Sequence, residues 1–404
     1  MPERHIFLAP HERPKSLYPL ARVYFRKWLV HPIKRRLARY YLMTLQRFFG
    51  LGVVGITGSS GKTTTKEMTA SILRQVGETA ASFGNIDPIY NIPTTILKCR
   101  PSTKFLVLEM GVEYEGEMDF YLWLAKPNIG VITNISQTHT LYLKNIEGVL
   151  KEKSKLVKSL NSKDYAVLNH DDPKLLELAL SLAAQTSWFG NGSSIFASDI
   201  SIDNELQTHF LLTINNDSAK ITLPVLGKHF VDNALAAAAV ASVFNVPLNL
   251  IKAGFEDFKP PDHRLQAISL ANGILVLDDS YNSNPLALRS ALNVLNAVAR
   301  SRRKIVVLGD MLELGDEEIV AHQEVANWLL NLDIKDVIGV GCLSRYFIDL
   351  LKKSDRFGNF IWMEDAKKAS IALEPLLTSD SVVLVKGSRV MKLDYVVEKL
   401  AAKK

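Results

Sequence analysis

A glycine-rich turn with a lysine and hydroxyl groups at its tip follows the first apolar run after residue 50. The turn reads Gly58-Ser59-Ser60-Gly61-Lys62-Thr63-Thr64, and apolar residues at helical spacing come next. Glycines in such a turn let backbone N–H groups point at an anion, while a lysine reaches the outer phosphates of a nucleotide and a hydroxyl ligates Mg²⁺. Lys62 and Thr63 occupy those two positions. The turn therefore predicts a nucleotide-phosphate site.

The spacing of the glycines makes this phosphate loop a variant. A strict Walker A loop has four residues between its glycines, whereas Gly58 and Gly61 are separated by two, and Gly55 lies one residue too far away. The alternative interpretation is an ordinary glycine turn with an incidental lysine at a helix start. We favour the phosphate site, because apolar strand, turn, Lys-Thr pair and amphipathic helix occur in the order that phosphate binding requires.

A carboxylate and an imidazole follow two other apolar runs. Glu109 ends the run 105–109, and His139 comes shortly after the run 129–133. The carboxyl ends of parallel strands face the ligand in open α/β sheets, so both side chains are candidate Mg²⁺ ligands. A single histidine is also often a hydrogen-bonded structural residue, and both interpretations of His139 stay open at this point.

The remaining pattern must supply the elements that position these residues. Strands alternate with helical stretches, which predicts an α/β protein with parallel sheets. Short polar alternating runs between residues 195 and 223 predict a small antiparallel insert, and Pro260-Pro261 marks a linker after helices expected at 233–244 and 248–258. We therefore expect domains at 51–261 and 262–404 after an N-terminal segment, 1–50. The predicted strands are 52–57, 105–109, 129–133, 165–168, 273–278, 304–308, 337–340 and 382–385.

Composition fits an ordinary globular protein. The chain has 404 residues, of which 47% are hydrophobic and 22% charged, and this length predicts about two or three domains. Its two cysteines, Cys99 and Cys342, lie far apart and fit no metal or redox spacing. A disulfide framework and a cysteine zinc site are thus not expected, which suits a reducing cytoplasm.

The formal net charge of +6 is concentrated near the N-terminus. Residues 1–50 carry eleven basic and two acidic side chains, a net charge of +9, which leaves 6 − 9 = −3 for the rest. Such a segment favours an anionic surface as partner, either lipid head groups or nucleic acid. No apolar run approaches about 18 residues, so no membrane span is expected, and the charges between residues 17 and 49 exclude a signal peptide.

The same segment has apolar and aromatic residues at helical spacing on both sides of Pro32, which we expect to separate two helices. Two interpretations stay open. The aromatic face could lie flat in an anionic membrane interface with the arginines on the other face, or the stripe packs on the neighbouring domain and the arginines are solvated. The stripe comprises Leu20, Val23, Tyr24, Trp28, Leu29, Leu37, Tyr40, Tyr41, Met43, Leu45, Phe48 and Phe49.

Taken together, segments from residue 51 to about 400 resemble, in order, those of the Mur ligases of peptidoglycan synthesis. Besides the phosphate loop they are Leu108-Glu109-Met110-Gly111, Ile132-Thr133-Asn134-Ile135 with His139, Val167-Leu168-Asn169-His170-Asp171-Asp172-Pro173, Leu226-Gly227-Lys228-His229 with Asn233-Ala234-Leu235-Ala236-Ala237, Arg264-Leu265, Asp278-Asp279-Ser280-Tyr281-Asn282-Ser283-Asn284-Pro285, Leu308-Gly309-Asp310-Met311-Leu312-Glu313-Leu314-Gly315 and Lys386-Gly387-Ser388-Arg389. The resemblance implies a central P-loop ATPase domain with a mostly parallel sheet, then a Rossmann-like α/β C-terminal domain, preceded here by short basic helices.

The resemblance also implies an activity and its cofactors. Members phosphorylate a substrate carboxylate with ATP and let an amine attack the acyl phosphate, and the similarity is greatest to those that add D-alanyl-D-alanine to a UDP-N-acetylmuramoyl-tripeptide. Lys62 would contact the β- and γ-phosphates, and Thr63 with Glu109 would hold one Mg²⁺. His139 would help hold a second Mg²⁺, supported by a carbamylated Lys153. Without the resemblance, Lys153 would be interpreted as a solvated helix lysine.

Further roles follow from the same resemblance. Asn233 would contact adenine, with His229 one helical turn before it, Asp279 would bind the ribose, and Arg264 would reach the phosphates when the C-terminal domain closes. Capping or interdomain hydrogen bonding is the structural alternative for each. The nucleotide-binding set is Gly58, Ser59, Ser60, Gly61, Lys62, Thr63, Thr64, Asn233, Arg264 and Asp279, the catalytic set is Lys62, Lys153, His139 and Arg264, and the candidate substrate residues are Asn85, Asn282, Asn284, Asp310 and Glu313.

Two departures from the family pattern bear on the substrate. Members usually begin with a UDP-binding domain of about a hundred residues or somewhat fewer, a typical small domain. Only the basic segment precedes the phosphate loop here, so we expect that domain to be missing. The segment 84–93 has Asp87-Pro88 and Tyr90-Asn91 in place of the usual paired asparagines and Ile-Gly. Asn91 can still adopt the left-handed conformation of a glycine, although substrate contacts there would differ.

Three functions are compatible with this sequence. The first is the peptidoglycan-precursor ligase, in the cytoplasm or at the inner membrane face, acting on a small-molecule or peptide-bearing nucleotide-sugar substrate. It would bind no nucleic acid and could contact an anionic membrane through residues 15–49. The second is a Mur-like ligase that joins an amino acid or peptide to another carboxylate, as folylpolyglutamate and poly-glutamate ligases do. The third is a non-catalytic membrane-associated scaffold that keeps the fold.

Overall fold

The computed structural model describes residues 29–83 and 87–402. Its first sheet has six parallel strands in the order β2-β3-β1-β4-β5-β6. The central strands are fully buried apolar runs, as expected for a parallel sheet covered by helices on both faces. The strands are β1 (Gly52–Thr57), β2 (Thr79–Ala81), β3 (Phe105–Glu109), β4 (Ile129–Ile132), β5 (Tyr165–Asn169) and β6 (Gln185–Phe189).

The helix after the phosphate loop packs closely on two later helices. These are α2 (Lys62–Arg74), α8 (Lys228–Val243) and α9 (Leu248–Glu256). The alanines of α8 are completely buried, and a Cβ on Gly254 would collide with the backbone of Ile72. Small residues thus let the helix axes approach each other, which fixes α2 and the phosphate loop at its N-terminus against the body of the protein.

A three-stranded antiparallel sheet, β7 (Ile195–Ile202), β8 (Thr208–Ile214) and β9 (Asp217–Leu223), comes between β6 and α8 in the chain and packs on α8 and α9. This is the insert that the alternating pattern predicted. The second large sheet has the order β10-β11-β15-β12-β13-β14, parallel except for β10. Its strands are β10 (Gln266–Ser269), β11 (Leu275–Asp279), β12 (Arg303–Gly309), β13 (Asp336–Val340), β14 (Asn359–Met363) and β15 (Ser381–Lys386).

Helices complete both large sheets, and the predicted α/β class with mostly parallel sheets is confirmed. We call the part of the protein built on the first sheet the first unit, and the part built on the second large sheet the second unit. In the first unit, besides α2, α8 and α9, the helices are α1 (His31–Phe49), α3 (Pro88–Ile96), α4 (Glu117–Leu124), α5 (Thr140–Leu143), α6 (Ile146–Lys158) and α7 (Pro173–Ala179). In the second unit they are α10 (Pro285–Ala299), α11 (Glu318–Asn331), α12 (Ser344–Lys352), α13 (Ala366–Leu373) and α14 (Asp394–Ala401). None of the described helices is long and apolar enough to cross a membrane.

The sequence prediction missed β2, β6, β10 and β14. Each is the outermost strand of a six-stranded sheet. Edge strands are short and half covered, so they lack the continuous apolar run that identified the inner strands. The other boundaries moved by only a few residues.

Helix α1 shows that part of the aromatic stripe packs on the protein and part does not. Its buried positions are Arg35, Ala38, Leu42 and Leu45, which face α3 and α4, and of these Leu45 belongs to the stripe. Tyr41, another member, is half-buried and donates to the Cys99 carbonyl oxygen at 2.8 Å. Pro32 stands in the first turn, where its missing N–H is not needed, and Gly50 ends the helix in the left-handed conformation. Most of the stripe after the proline is exposed, namely Leu37, Tyr40, Met43, Phe48 and Phe49, whereas its members Leu20, Val23, Tyr24 and Trp28 lie outside the described residues.

Candidate active site

A polar cavity of about 870 Å³ lies between the first sheet and the second unit. One wall is the phosphate loop with the loops after β3 and β4. The other is formed by the loops after β11 and β12 and by the residues that follow β15. The carboxyl ends of strands from two parallel sheets thus meet at one cavity, the usual place for ligands in open α/β folds.

Hydrogen bonds hold the phosphate loop against the loop that follows β4. The Ser59 amide donates to the Asn134 carbonyl oxygen at 3.0 Å, and the Ser60 amide donates to Asn134 Oδ1 at 3.1 Å. A Cβ on Gly58, whose φ is 145°, would collide with Thr133 Oγ1. A side chain at this glycine would therefore displace the loop, which explains why the turn needs glycine there.

Lys62 crosses the mouth of the loop. Its Nζ donates to the Gly58 carbonyl oxygen at 2.9 Å, and burial lowers the pKa of its ammonium group, with nearby Arg264 acting in the same direction and Glu109 opposing it. An anion entering the loop would offset that burial cost.

Glu109 ends β3 within reach of the same loop. Its Oε1 accepts a hydrogen bond from Thr63 Oγ1 at 3.0 Å, and its Oε2 is buried without a hydrogen-bond partner among the described residues. Two further contacts fix its position: its amide donates to Ser82 Oγ at 3.0 Å, and the fully buried Lys66 Nζ lies 4.0 Å from Oε2. Lys66 Nζ itself donates to the Ser82 carbonyl oxygen at 2.7 Å.

Lys153 differs from the lysines on either side of it on α6. Lys151 is exposed and paired with Glu115, and Lys155 is paired with Asp119 and Glu152. Lys153 is completely buried, and its Nζ has no hydrogen-bond partner among the described residues. Burial, and secondarily the charge of Lys62, holds its pKa well below the ordinary value. The structure rules out the interpretation of Lys153 as a solvated helix lysine.

His139 links the two walls of the cavity. Its Nδ1 lies 2.6 Å from Glu313 Oε2, and the adjacent Thr140 Oγ1 donates to the Leu314 carbonyl oxygen at 2.8 Å. Both His139 and Glu313 have positive φ angles, 55° and 70°, which turn their side chains toward each other. The contact leaves His139 Nε2 as the ring nitrogen available for a ligand.

The predicted adenine region lies at the start of α8. The Asn233 side chain is buried so close to the phosphate loop that a Cβ on Gly61 would collide with its Oδ1. Burial lowers the pKa of His229 to about 4, and burial raises the pKa of Asp232 to about 6. His229, Asp232 and Asn233 all line the cavity. Burial of the titratable groups of His229 and Asp232 costs stability, and such buried titratable groups are common where a ligand binds.

Arg264 and Asp279 meet at the start of the second unit. Asp279 Oδ1 accepts a hydrogen bond from the Leu265 amide at 3.2 Å, and its Oδ2 accepts one from Lys386 Nζ at 2.6 Å. Arg264 lies over the Tyr281 ring, with Cζ 4.3 Å from the centroid, and its buried Nε has no hydrogen-bond partner among the described residues. Both side chains line the cavity, although protein contacts already use each oxygen of Asp279.

The candidate substrate residues divide into three groups. Asn282, Asn284 and Glu313 line the cavity, although Asn284 Oδ1 caps α10 by accepting the Ala287 amide. Asp310 is buried outside the cavity lining, and its Oδ1 accepts the Ser344 amide at 2.7 Å, so the geometry gives it a structural contact. Asn85 lies outside the described residues.

Sequence reasoning assigned no role to several residues that the structure places here. Asn134, Tyr281 and Arg389 line the cavity, and Lys66 stands behind Glu109. Asn134, Tyr281 and Arg389 stood within the segments that resembled the family, so their positions were visible but their orientations were not.

The oxygens beside the phosphate loop fit one Mg²⁺. A hydroxyl and a carboxylate with a buried unpaired oxygen, Thr63 and Glu109, match the usual magnesium site of one or two carboxylates completed by water and phosphate oxygens. No group of three or more His, Cys, Asp and Glu side chains within residues 29–83 and 87–402 is arranged to hold a metal by itself. A second ion at His139 would need further oxygens from a substrate or from a modified side chain.

The fold and the cavity define an α/β protein with a variant phosphate loop that faces a second, mostly parallel sheet across a cleft lined by charged side chains. The model of the Mur ligase middle domain matches residues 56–241, and that of the Mur ligase glutamate ligase domain matches residues 263–389. The chain belongs to the Mur ligase family.

Named relatives agree with this assignment. The chain is similar to the UDP-N-acetylmuramoyl-tripeptide–D-alanyl-D-alanine ligase of Buchnera aphidicola subsp. Baizongia pistaciae (strain Bp), with 34% identity over 86% of this chain and 75% of the relative. The ligase of the same name from Bacillus subtilis (strain 168) is 32% identical over 91% of this chain and 78% of the relative.

Solved structures give the same result for the fold. The structure of MurF from Acinetobacter baumannii has a TM-score of 0.82 and 29% identity, covering 92% of this chain and 80% of that chain. MurF ligase from Thermotoga maritima, solved in complex with ADP, has a TM-score of 0.81 at 24% identity, covering 92% of this chain and 84% of that chain.

Proposed function

We propose that the protein is an ATP-dependent amide ligase that adds D-alanyl-D-alanine to a UDP-N-acetylmuramoyl-tripeptide. The observation that carries this proposal is the meeting of two cations at the phosphate loop. Lys62 lies in the loop and Arg264 faces it from the second unit, and Lys153 lies buried close to Lys62. Transfer of a phosphoryl group needs charge neutralisation and positioning, which these side chains supply. Similarity to ligases of that name over most of the chain supports the choice of substrates.

The side chains would divide the chemistry between the two walls. Lys62 and the backbone amides of residues 59–63 would neutralise the β- and γ-phosphates of ATP, while Arg264 approaches the transferred group from the second unit. A substrate carboxylate then becomes an acyl phosphate, and the amine of the second substrate attacks its carbonyl carbon and releases phosphate. The contact between His139 and Glu313 brings the walls together and limits the access of water to the acyl phosphate.

Mg²⁺ and a carbamylated lysine complete the proposal. Thr63 and Glu109 would hold one Mg²⁺, and His139 Nε2 would face the second. A lysine amine that is buried and unpaired, and whose pKa is lowered, stays neutral more readily and is thus able to attack CO₂ through its lone pair, losing one proton to form a carbamate. That carbamate at Lys153 would supply the carboxylate which the second ion lacks. When bound, the ions neutralise the charge that develops on the phosphoryl oxygens.

A phosphate-release assay with both substrates tests the function. Purified protein should release phosphate from ATP only when UDP-N-acetylmuramoyl-tripeptide and D-alanyl-D-alanine are both present. Release with another carboxylate and amine, and none with this pair, would instead assign the protein to the glutamate-adding type of Mur-like ligase. ATP binding without turnover with either kind of pair would indicate a scaffold.

We also propose that α1 rests on an anionic membrane surface. Leu37, Tyr40 and Phe48 are exposed on α1 next to Arg36 and Arg47, an arrangement typical of helices that lie in a lipid interface. Vesicles that contain phosphatidylglycerol should carry the protein upward in a flotation gradient at low salt, and added salt should reduce binding. Replacing Leu37 and Tyr40 by serine should abolish flotation without changing phosphate release. Equal flotation with neutral vesicles would contradict the proposal.

The predicted domains 1–50, 51–261 and 262–404 remain our proposal for the organisation of the chain. The two family matches and the two large sheets support a boundary close to residue 262.

A further inference from the structure

Arg389 is a cationic residue of the cavity to which no role has yet been assigned. It follows Ser388 after β15 and stands at the start of a short 3₁₀ turn, Arg389–Met391. The other cationic side chains of the cavity have clear tasks or partners. Lys62 belongs to the phosphate loop, Lys386 is paired with Asp279, and Arg264 lies over Tyr281.

The loop that carries Arg389 is fastened to the loop after β12. The Ser388 amide donates to the Asp310 carbonyl oxygen at 3.1 Å, and Ser388 Oγ accepts the Leu312 amide at 2.9 Å. These bonds place Arg389 on the same wall as Glu313, the wall that the second unit supplies. In the proposed function the second substrate enters from that unit, so Arg389 stands on the side that it would reach.

The guanidinium group is held at one end and open at the other. Its Nη1 donates to Asp394 Oδ2 at 2.7 Å, and 55% of the side chain is exposed. A guanidinium has five N–H donors in a planar fork, and one bond to an aspartate fixes its orientation without using most of them. The open edge suits a carboxylate, which accepts two parallel hydrogen bonds from this fork.

The Tyr281 ring limits the distance between the guanidinium groups of Arg389 and Arg264. The Arg264 Cζ lies 4.3 Å from the Tyr281 ring centroid and the Arg389 Cζ lies 5.8 Å from it, distances that add to an upper limit of 10.1 Å between the two carbons. An extended dipeptide spans about 7 Å. An amine at an acyl phosphate beside Arg264 would thus leave the far end of the dipeptide within reach of Arg389.

We propose that Arg389 binds the free carboxylate of the incoming dipeptide and thereby selects the second substrate. The inference rests on the proposed function, in which a dipeptide with a reacting amine and an unreacted carboxylate enters from the second unit. Pairing with that carboxylate fixes the dipeptide by its far end, so that the amine points toward the acyl carbon.

Comparing D-alanyl-D-alanine with its C-terminal amide tests this role. Because a charge-assisted pair is lost, Arg389→Met should raise the KM for the dipeptide about 10- to 100-fold and change the KM for ATP by less than about twofold. The wild-type protein should prefer the carboxylate over the amide by a similar factor, and the variant should lose this preference. Arg389→Lys should fall between the two, since an ammonium keeps the charge without the fork.

Arg345→Met is the matched control, because Arg345 is an exposed arginine of the second unit that lies on the Trp362 ring outside the cavity. It should behave as the wild type. An Arg389→Met variant that still prefers the carboxylate, or whose KM rises for ATP instead, overturns the inference. A wild-type protein that releases no phosphate with either dipeptide would refute the proposed function itself, which separates the two failures.

Discussion

Replacing Lys153 by methionine is expected to lower kcat for phosphate release about 10²- to 10³-fold, the range seen when a group that stabilises transition-state charge is lost. Methionine fills similar space, and the Lys153 Nζ makes no hydrogen bond within the described part of the chain, so the fold should survive. The free energy of unfolding should stay the same or rise, because a buried amine without a partner costs stability. Steady-state kinetics over a range of Mg²⁺ concentrations, together with thermal unfolding, measure both effects.

Lys151→Met is the control for this substitution, since Lys151 lies two residues earlier on the same helix with an exposed side chain. It should retain wild-type activity. The carbamate can be detected directly, because wild-type protein in isotope-labelled bicarbonate should gain one labelled carbamate carbonyl signal that the Lys153→Met protein lacks. Wild-type kinetics in the Lys153→Met protein would disprove the role of this lysine.

The second large effect is expected for Lys62→Met, which should reduce kcat/KM for ATP by at least about 10²-fold. The substitution removes the ammonium group that reaches across the phosphate loop to the Gly58 carbonyl oxygen. It also leaves Glu109 without one of the cations that face it. Because burial lowers the pKa of Lys62 and thus costs the protein stability, the loss should affect nucleotide binding more than folding.

Calorimetric titration with ATP measures the effect of Lys62→Met on nucleotide binding, and thermal unfolding measures its effect on folding. Arg74→Met, at the far and exposed end of α2, removes one cation from the same helix and should change neither measurement much. If Lys62→Met bound ATP like the wild type and turned over normally, the phosphate-loop assignment would be wrong.

The sequence predicted those parts of the site that depend on local order. The phosphate loop is a continuous segment, and Glu109 and His139 follow recognisable inner strands, so their shared edge could be inferred from the rule for parallel sheets. All eight predicted strands correspond to inner strands, whose continuous apolar runs reflect burial on both faces.

The orientation of a side chain depends on neighbours that are distant in the sequence, so it could not be predicted from the sequence. Nothing local in the run containing Lys151, Lys153 and Lys155 shows that only the middle lysine is buried, because the partners of the outer two, Glu115 and Asp119, lie in the turn before α4 and in α4 itself. Which members of the stripe on α1 are buried could not be predicted for the same reason, since the buried face of the helix is set by α3 and α4. Asp310 likewise turns toward Ser344, a residue 34 positions away.

The contacts at the start of the second unit leave a short linker between the two units. Phe258 is buried, while His263 is bonded to Asp278 and Leu265 to Asp279. Residues 259–262 lie between these contacts, and two of the four are prolines with fixed φ angles. Arg264 is thus attached to the second unit and not to the linker. In the proposed function, a linker this short and stiff would allow the two units few relative orientations, so closure of the second unit would bring Arg264 to nearly the same place over the phosphate loop each time.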